Sequence, residues 1–246
     1  MSDNRALAII FNGANKPLME KKFPIPQKIG SYEAIVKISL ATICSSDVHT
    51  WLGHRPFPTP VILGHEIVGK IVKLGKNLRF DFNGEKLAIG DRVTWSMTTS
   101  CQKCFFCKKG LPQKCVNLFK YGHTKSVDNL GLTGGFANFI LIRKGSFIFK
   151  IPNQISDQEA APLMCAGATV IGSLYESNFS KCNFVVVQGC GALGLYACAF
   201  SKQLGAKKVI ALDKMQDRLS LAKEFGADYV INIKHENNII EKIKKI

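Results

Sequence analysis

The chain reads as an α/β protein, with a β-rich first part and an incomplete doubly wound parallel sheet at its end. Three observations predict this. Alternating Val, Ile and Ala runs separated by Gly- and Pro-rich loops dominate the first part. From about Ser156, helical runs alternate with short apolar strands. A glycine-rich turn follows the first of these later strands. With 246 residues the chain can form two domains, expected at 1–155 and 156–246, and bury a sizeable core.

Taken in order, AIVKISLATI, HEIVGKIVKLG and FANFILIRKGSFIFKIP are the strand segments of the first part. A long helical stretch, Gln158 to Ser177, is expected to bridge the two domains. A strand at Phe184 to Val187 follows, then a helix from about Ala192 to Leu204 and a strand at Val209 to Leu212. A helix at Gln216 to Phe225 and a strand at Tyr229 to Ile233 complete the regular pattern. ENNIIEKIKKI reads as an amphipathic helix whose apolar face has lost its packing partner. A full dinucleotide fold uses about six parallel strands, so the chain is expected to be a fragment, roughly a hundred residues short.

The densest chemical signal is CQKCFFCKKGLPQKC, which places Cys101, Cys104, Cys107 and Cys115 in one looped segment with Gly110 and Pro112. Four soft thiolates converging from a short turn-rich stretch suit one tetrahedral Zn²⁺. The bland alternative is scattered buried or disulfide-bonded cysteine. A second, open site is assembled from distant strings. ATICSSDVHTWLG carries Cys44, PVILGHEIVGKIVKLG carries His65 and Glu66, and EAAPLMCAGATVIG carries Cys165. Two cysteines and one histidine make the ligand combination of a catalytic zinc, leaving a fourth position for water or substrate. Each residue alone is weak evidence, because an isolated cysteine is usually a small core residue.

In VVVQGCGALGLYA, Gly189, Gly191 and Gly194 match G-x-G-x-x-G between a strand and a helix. The first glycine permits the turn, the second lets a pyrophosphate approach, and the third allows close helix-to-strand packing. Asp213 ends the next strand, 213 − 194 = 19 residues beyond the third glycine. There a carboxylate accepts both ribose hydroxyls and repels a 2′-phosphate, which argues for NAD over NADP. A helix cap is the competing reading of Asp213.

Together these strings resemble the zinc-dependent, medium-chain alcohol dehydrogenase family. GHEIVGKIVKLG, GDRV at Gly90 to Val93, the cysteine lobe, GGFANF and GCGALG occur in the family's order. The resemblance implies a GroES-like catalytic domain carrying one catalytic and one structural zinc, followed by a Rossmann-type domain. It also implies roles: Cys44, His65 and Cys165 as catalytic zinc ligands, and Glu66 as an acidic neighbour able to approach the metal. Ser46 passes the substrate proton on, His49 is the outer relay, and Asp47 orients a ligand histidine. Ser46 also suits a helix cap, and His49 a surface position without a role.

The chain carries 33 Lys and Arg against 18 Asp and Glu, a formal +15. The positive residues are spread out, so neither nucleic acid nor membrane is an expected partner. Lys103, Lys108, Lys109, Lys114 and Lys120 around the cysteine lobe read as a solvated face. Metal-ligand spacing and the lack of a signal peptide pattern point to the cytoplasm. Cys182, Cys190 and Cys198 look structural or incidental. Trp51, His54, Phe57, Trp95 and Met97 are candidate pocket walls, with a core role equally open for Phe57 and Trp95.

The expected activity is hydride transfer between NAD and a small-molecule alcohol: a secondary alcohol, a polyol or a hydroxy amino acid. The full-length form is expected to be a homo-oligomer. Two alternatives are a zinc-ribbon binding module, or inactive remnant, without hydride transfer, and a zinc-free quinone reductase. The zinc-ribbon module leaves Cys44, His65, Glu66, Cys165 and the glycine loop unexplained, and the intact ligand set speaks against the quinone-reductase class, whose members lack it.

Overall fold

The computed structural model describes residues 4–125, 131–179 and 184–246. Cys182 lies outside the described residues. The chain divides into two compact units, Met1–Cys165 and Ala166–Ile246.

In the first unit, β1 (Arg5–Phe11) lies between β2 (Met19–Pro24) and β4 (Val61–Ile62). A five-stranded sheet runs β10 (Ile148–Lys150), β6 (Arg92–Trp95), β5 (Glu66–Leu74), β3 (Ala34–Thr42), β9 (Phe139–Ile142), all antiparallel. A two-stranded ribbon joins β7 (Thr98–Thr99) to β8 (Phe119–Lys120). The inward residues of the large sheet, Val36, Ile67, Ile71, Val93, Ile140 and Ile142, share a core with Trp95 and Tyr121. Each such fully buried aliphatic side chain stabilises the fold by roughly 1.5–3 kcal/mol. The β3–β5 register sets Thr42 opposite Glu66.

Helix α1 (Ser45–Trp51) follows β3 directly, and α2 (Phe105–Lys108) is a single turn inside the cysteine segment. Ser156 caps α3 (Asp157–Ala160): its hydroxyl accepts from the Glu159 N–H, and Glu159 Oε2 accepts from the Ser156 N–H at 2.8 Å. The helix expected over Gln158 to Ser177 is not continuous. Pro162 opens a 3₁₀ turn over Ala161–Met164, and Cys165 breaks from helical geometry before α4 (Ala166–Glu176) begins. Met164 Sδ accepts the Ile67 N–H at 3.1 Å, which fixes the break against β5.

The boundary between the units therefore falls later than the expected 155/156. Ala160 and Ala161 bury against Val68 and Ile151, and Arg92 donates to Asp157 Oδ1 at 3.0 Å, so α3 and its turn belong to the first unit.

In the second unit β11 (Phe184–Gln188), β12 (Lys208–Asp213) and β13 (Tyr229–Asn232) form a parallel sheet in that order. Helices α5 (Ala192–Gln203), α6 (Gln216–Glu224) and α7 (Ile239–Lys245) accompany it. Val209 and Ala211 face a core containing Cys198, Leu219 and Ala222, whereas Ile210 and Leu212 face Ile239, Ile243 and Ile246. Both faces of β12 are covered, which is why it reads as an unbroken apolar run. The expectation that the last helix lacks a partner is corrected: its apolar residues lie one and two turns apart and pack on Ile210, Leu212 and Ile231.

Candidate metal centres

Four side chains meet where α1, the start of β5 and the break before α4 converge. One donor atom from each of Cys44, His65, Glu66 and Cys165 lies within 4.8 Å of the others. Cys44 and Cys165 sulfurs are 3.8 Å apart, although 121 residues separate them in sequence. A tetrahedron with Zn–S bonds of about 2.3 Å has edges of roughly 3.8 Å, so the spacing and the donors fit zinc.

The local causes are visible. Cys44 is the residue before α1, in extended backbone, and its N–H donates to Asp47 Oδ2 at 3.0 Å. Asp47 is buried, and its Oδ1 approaches His65 Nδ1 at 3.3 Å and accepts the Gly64 N–H. One carboxylate thus joins the start of α1 to the ligand histidine and turns His65 Nε2 toward the set. Glu66 is also buried, and its Oε2 accepts from Thr42 Oγ1 at 2.6 Å across the β3–β5 pair. Thr42 escaped the sequence reading because only the strand register brings it to Glu66.

The electrostatics suit a cation. The neighbouring Cys165 thiol, with His65, draws Cys44 down to about 2, while Cys165 is pushed up by the Cys44 thiolate and by burial. Burial opposes a charged His65, but the contacts to Asp47 and Cys44 outweigh it and raise the ring to about 9. Burial raises Glu66. A divalent ion held by these donors would displace the protons on Cys165 and His65.

Ser46 Oγ lies 3.4 Å from His65 Nε2. His49 is exposed and sits 3.5 Å from His54, Nδ1 to Nδ1, so no hydrogen bond joins Ser46 to His49. Of the candidate wall residues, Trp95 is 1% exposed and belongs to the sheet core, with Met97 packed against it. Trp51 is exposed, and Phe57 packs on Phe11, Val61 and Leu63. His123, absent from the sequence reading, stacks on His65 with ring centroids 4.7 Å apart and meets Phe57 edge-on at 5.2 Å. Burial, then Lys120, lowers it to about 4.

The second set is Cys101, Cys104, Cys107 and Cys115, again with sulfurs mutually within 4.8 Å. Cys104 lies 3.5 Å from Cys107 and 4.0 Å from Cys115. Gln102 at φ 57° and Gly110 at φ +76° turn the chain back on itself. The N–H groups of Cys101 and Asn117 donate to Cys115 Sγ at 3.2 and 3.4 Å. Backbone N–H groups of Cys107 and Val116 draw Cys104 down to about 6, while burial and Cys104 push Cys107 up to about 11. These thiols fit one tetrahedral soft ion.

In the second unit, Gly189 takes φ +93° in the turn after β11. A Cβ on Gly194 would stand 1.9 Å from the Gly189 carbonyl oxygen, whereas one on Gly191 meets nothing within 4 Å. The third glycine is thus required by packing, and the second faces open space. Asp213 is buried and accepts N–H groups from Cys190 at 2.7 Å and Met215 at 2.8 Å. Burial works against its charge, but those donors prevail and hold it below its usual value. Arg218 stands 3.9 Å from Asp213 Oδ2. Each oxygen retains acceptor capacity.

Residues 30–153 match the model of the alcohol dehydrogenase GroES-like domain, and residues 192–246 match that of the zinc-binding dehydrogenases. An alcohol dehydrogenase of Geobacillus stearothermophilus is 33% identical over 94% of this chain and 64% of its own length. A sorbitol dehydrogenase of Halalkalibacterium halodurans is 36% identical over 87% of this chain and 58% of its own length. The chain therefore spans somewhat less than two thirds of these relatives. The crystal structure of an alcohol dehydrogenase from Thermotoga maritima superposes with a TM-score of 0.89 at 34% identity, covering 98% of this chain and 67% of that one. The cysteine-histidine set, the cysteine lobe and both family matches agree, and the chain belongs to the zinc-dependent, medium-chain alcohol dehydrogenase family.

Proposed function

We propose that this chain provides the two zinc centres and the NAD-binding loop of a dehydrogenase that transfers hydride between an alcohol and NAD. The observation that carries this is the convergence of Cys44, His65, Glu66 and Cys165, a mixed set suited to catalysis rather than to a purely structural ion. Alcohol and sorbitol dehydrogenases among the relatives support a secondary alcohol or a polyol as the substrate class. Solved relatives are described in complex with NADH and with NADP. For this chain Asp213 favours NAD, because a buried carboxylate beside the glycine loop repels a 2′-phosphate.

Cys44, His65 and Cys165 would hold a zinc ion, which would supply the acid chemistry that lowers the pKa of an alcohol hydroxyl, with NAD as the hydride acceptor. The chain's own residues do the rest. Ser46 Oγ, beside His65 Nε2, accepts the alcohol proton and donates its own onward, because a hydroxyl does both at once. His49, exposed at the last turn of α1 and not bonded to Ser46, would release to water a proton carried from Ser46 by an intervening water. Asp47 holds His65 in one orientation. Glu66, tethered by Thr42, would offer a further acidic donor beside the ion. Cys101, Cys104, Cys107 and Cys115 would hold the structural ion.

Zinc per polypeptide, measured together with NADH fluorescence titration, tests the proposal. Two zinc ions and saturable NADH binding are expected. No zinc would favour a quinone reductase, and one zinc without NADH binding would favour a ribbon-type module.

A further inference from the structure

His123 follows the β7–β8 ribbon and is 7% exposed. Its Nδ1 lies 3.2 Å from the Tyr121 carbonyl oxygen, and a carbonyl only accepts, so Nδ1 donates to its own main chain. Nε2 is left fully enclosed and without a hydrogen-bond partner among the described residues. The ring's neighbours are the rings of His65, 4.7 Å away, and Phe57, 5.2 Å away. A desolvated ring nitrogen thus stands beside a member of the mixed metal set with nothing to bond to. Buried polar atoms are almost always paired, and a Phe or Leu here would have avoided the defect.

Two polar side chains beside His65 are already engaged. Asp47 is engaged by Cys44, Gly64 and His65, and Ser46 lies at Nε2 of His65. Among the described residues none serves Nε2. We propose that His123 is a specificity-determining residue whose Nε2 hydrogen-bonds a second hydroxyl on the alcohol, adjacent to the one that reacts, so that the site selects vicinal diols and longer polyols. This rests on the dehydrogenase function proposed above. With its proton on Nδ1, the neutral ring leaves Nε2 an acceptor, which a second hydroxyl serves by donating, and a monohydric alcohol leaves it unpaired.

The test uses zinc-loaded protein, wild type and the His123→Phe and His123→Gln variants. 2,3-Butanediol and 2-butanol are compared as substrates with NAD, and the dissociation constant of 2,3-butanediol is measured by calorimetry. For His123→Phe we expect the diol-to-monohydric ratio of kcat/KM to fall about tenfold, mainly through KM, with the diol dissociation constant weakening in parallel. His123→Gln restores part of the preference, and all three proteins keep two zinc ions. An unchanged ratio would mean that water serves Nε2 and would overturn the assignment. An equal loss for both alcohols together with zinc would also overturn it, by showing a purely structural role. If no alcohol turns over yet diol binding depends on His123, the assignment stands and the dehydrogenase proposal fails. Diol binding indifferent to His123 overturns the assignment whatever the turnover.

Discussion

The two candidate metal sets use the same kind of sulfur donor and are built in opposite ways. The cysteine lobe draws all four thiols from Cys101 to Cys115, its one-turn helix α2 buries no residue, and Phe105 is 68% exposed. The mixed set draws its members from three distant segments and places His65 and Glu66 in the interior. The lobe is local but poorly packed, so its order depends on the ion it holds. The mixed set is preorganised by the β3–β5 register, by Asp47 and by the anchoring of Met164, so its geometry survives without the ion.

Metal removal should break the symmetry most. On chelation we expect amide hydrogens of residues 101–117 to lose protection while β3 and β5 keep theirs, read by hydrogen exchange. Equal loss in both would place the lobe and the sheet in one cooperative unit. Asp47→Asn sharpens the contrast next. Removing the charge behind His65 should weaken zinc at the mixed set about 10–100-fold and leave the lobe's zinc unaltered, as read by competitive chelator titration.

Smaller effects follow from packing and pairing. Gly194→Ala puts a methyl 1.9 Å from the Gly189 carbonyl oxygen, and overpacking of this kind costs about 1–3 kcal/mol. We expect weaker NADH binding with unchanged zinc content. Thr42→Val leaves buried Glu66 without its hydroxyl donor, and should cost about 1–3 kcal/mol in denaturant unfolding of the first unit.

The smallest expected effect is one of pH. Asp213 is held below its usual value when folded, so its contribution to stability is present above the unfolded carboxylate range and is lost as pH falls through the folded value. Asp213→Asn should therefore lower the melting temperature at neutral pH, and the gap to wild type should close in acid.

What was legible in the sequence follows the same division. The lobe could be read from spacing alone, because its four thiols share one segment. The glycine loop could be read because Gly189 and Gly194 answer local steric demands. The mixed set could be assembled from distant strings only as residues each weak alone, and the family resemblance gave them their roles, since nothing in the neighbourhood of Cys165 announces the break that turns it toward Cys44. Thr42 and His123 stayed hidden because their roles depend on register and stacking between strands and loops, not on neighbours in sequence. Trp95 looked like a pocket wall because it stands near the zinc motifs in sequence, yet strand alternation turns it into the core. The last helix seemed unpartnered because the far face of β12 cannot be seen from its own string of residues.

Zinc per polypeptide in the wild type and in Cys44→Ser and Cys101→Ser tests most directly whether these are two independent centres. We predict two ions in the wild type and one in each variant, with secondary structure preserved in Cys44→Ser. Two ions remaining in Cys44→Ser, or one in the wild type, would contradict the assignment of the mixed set as a metal centre.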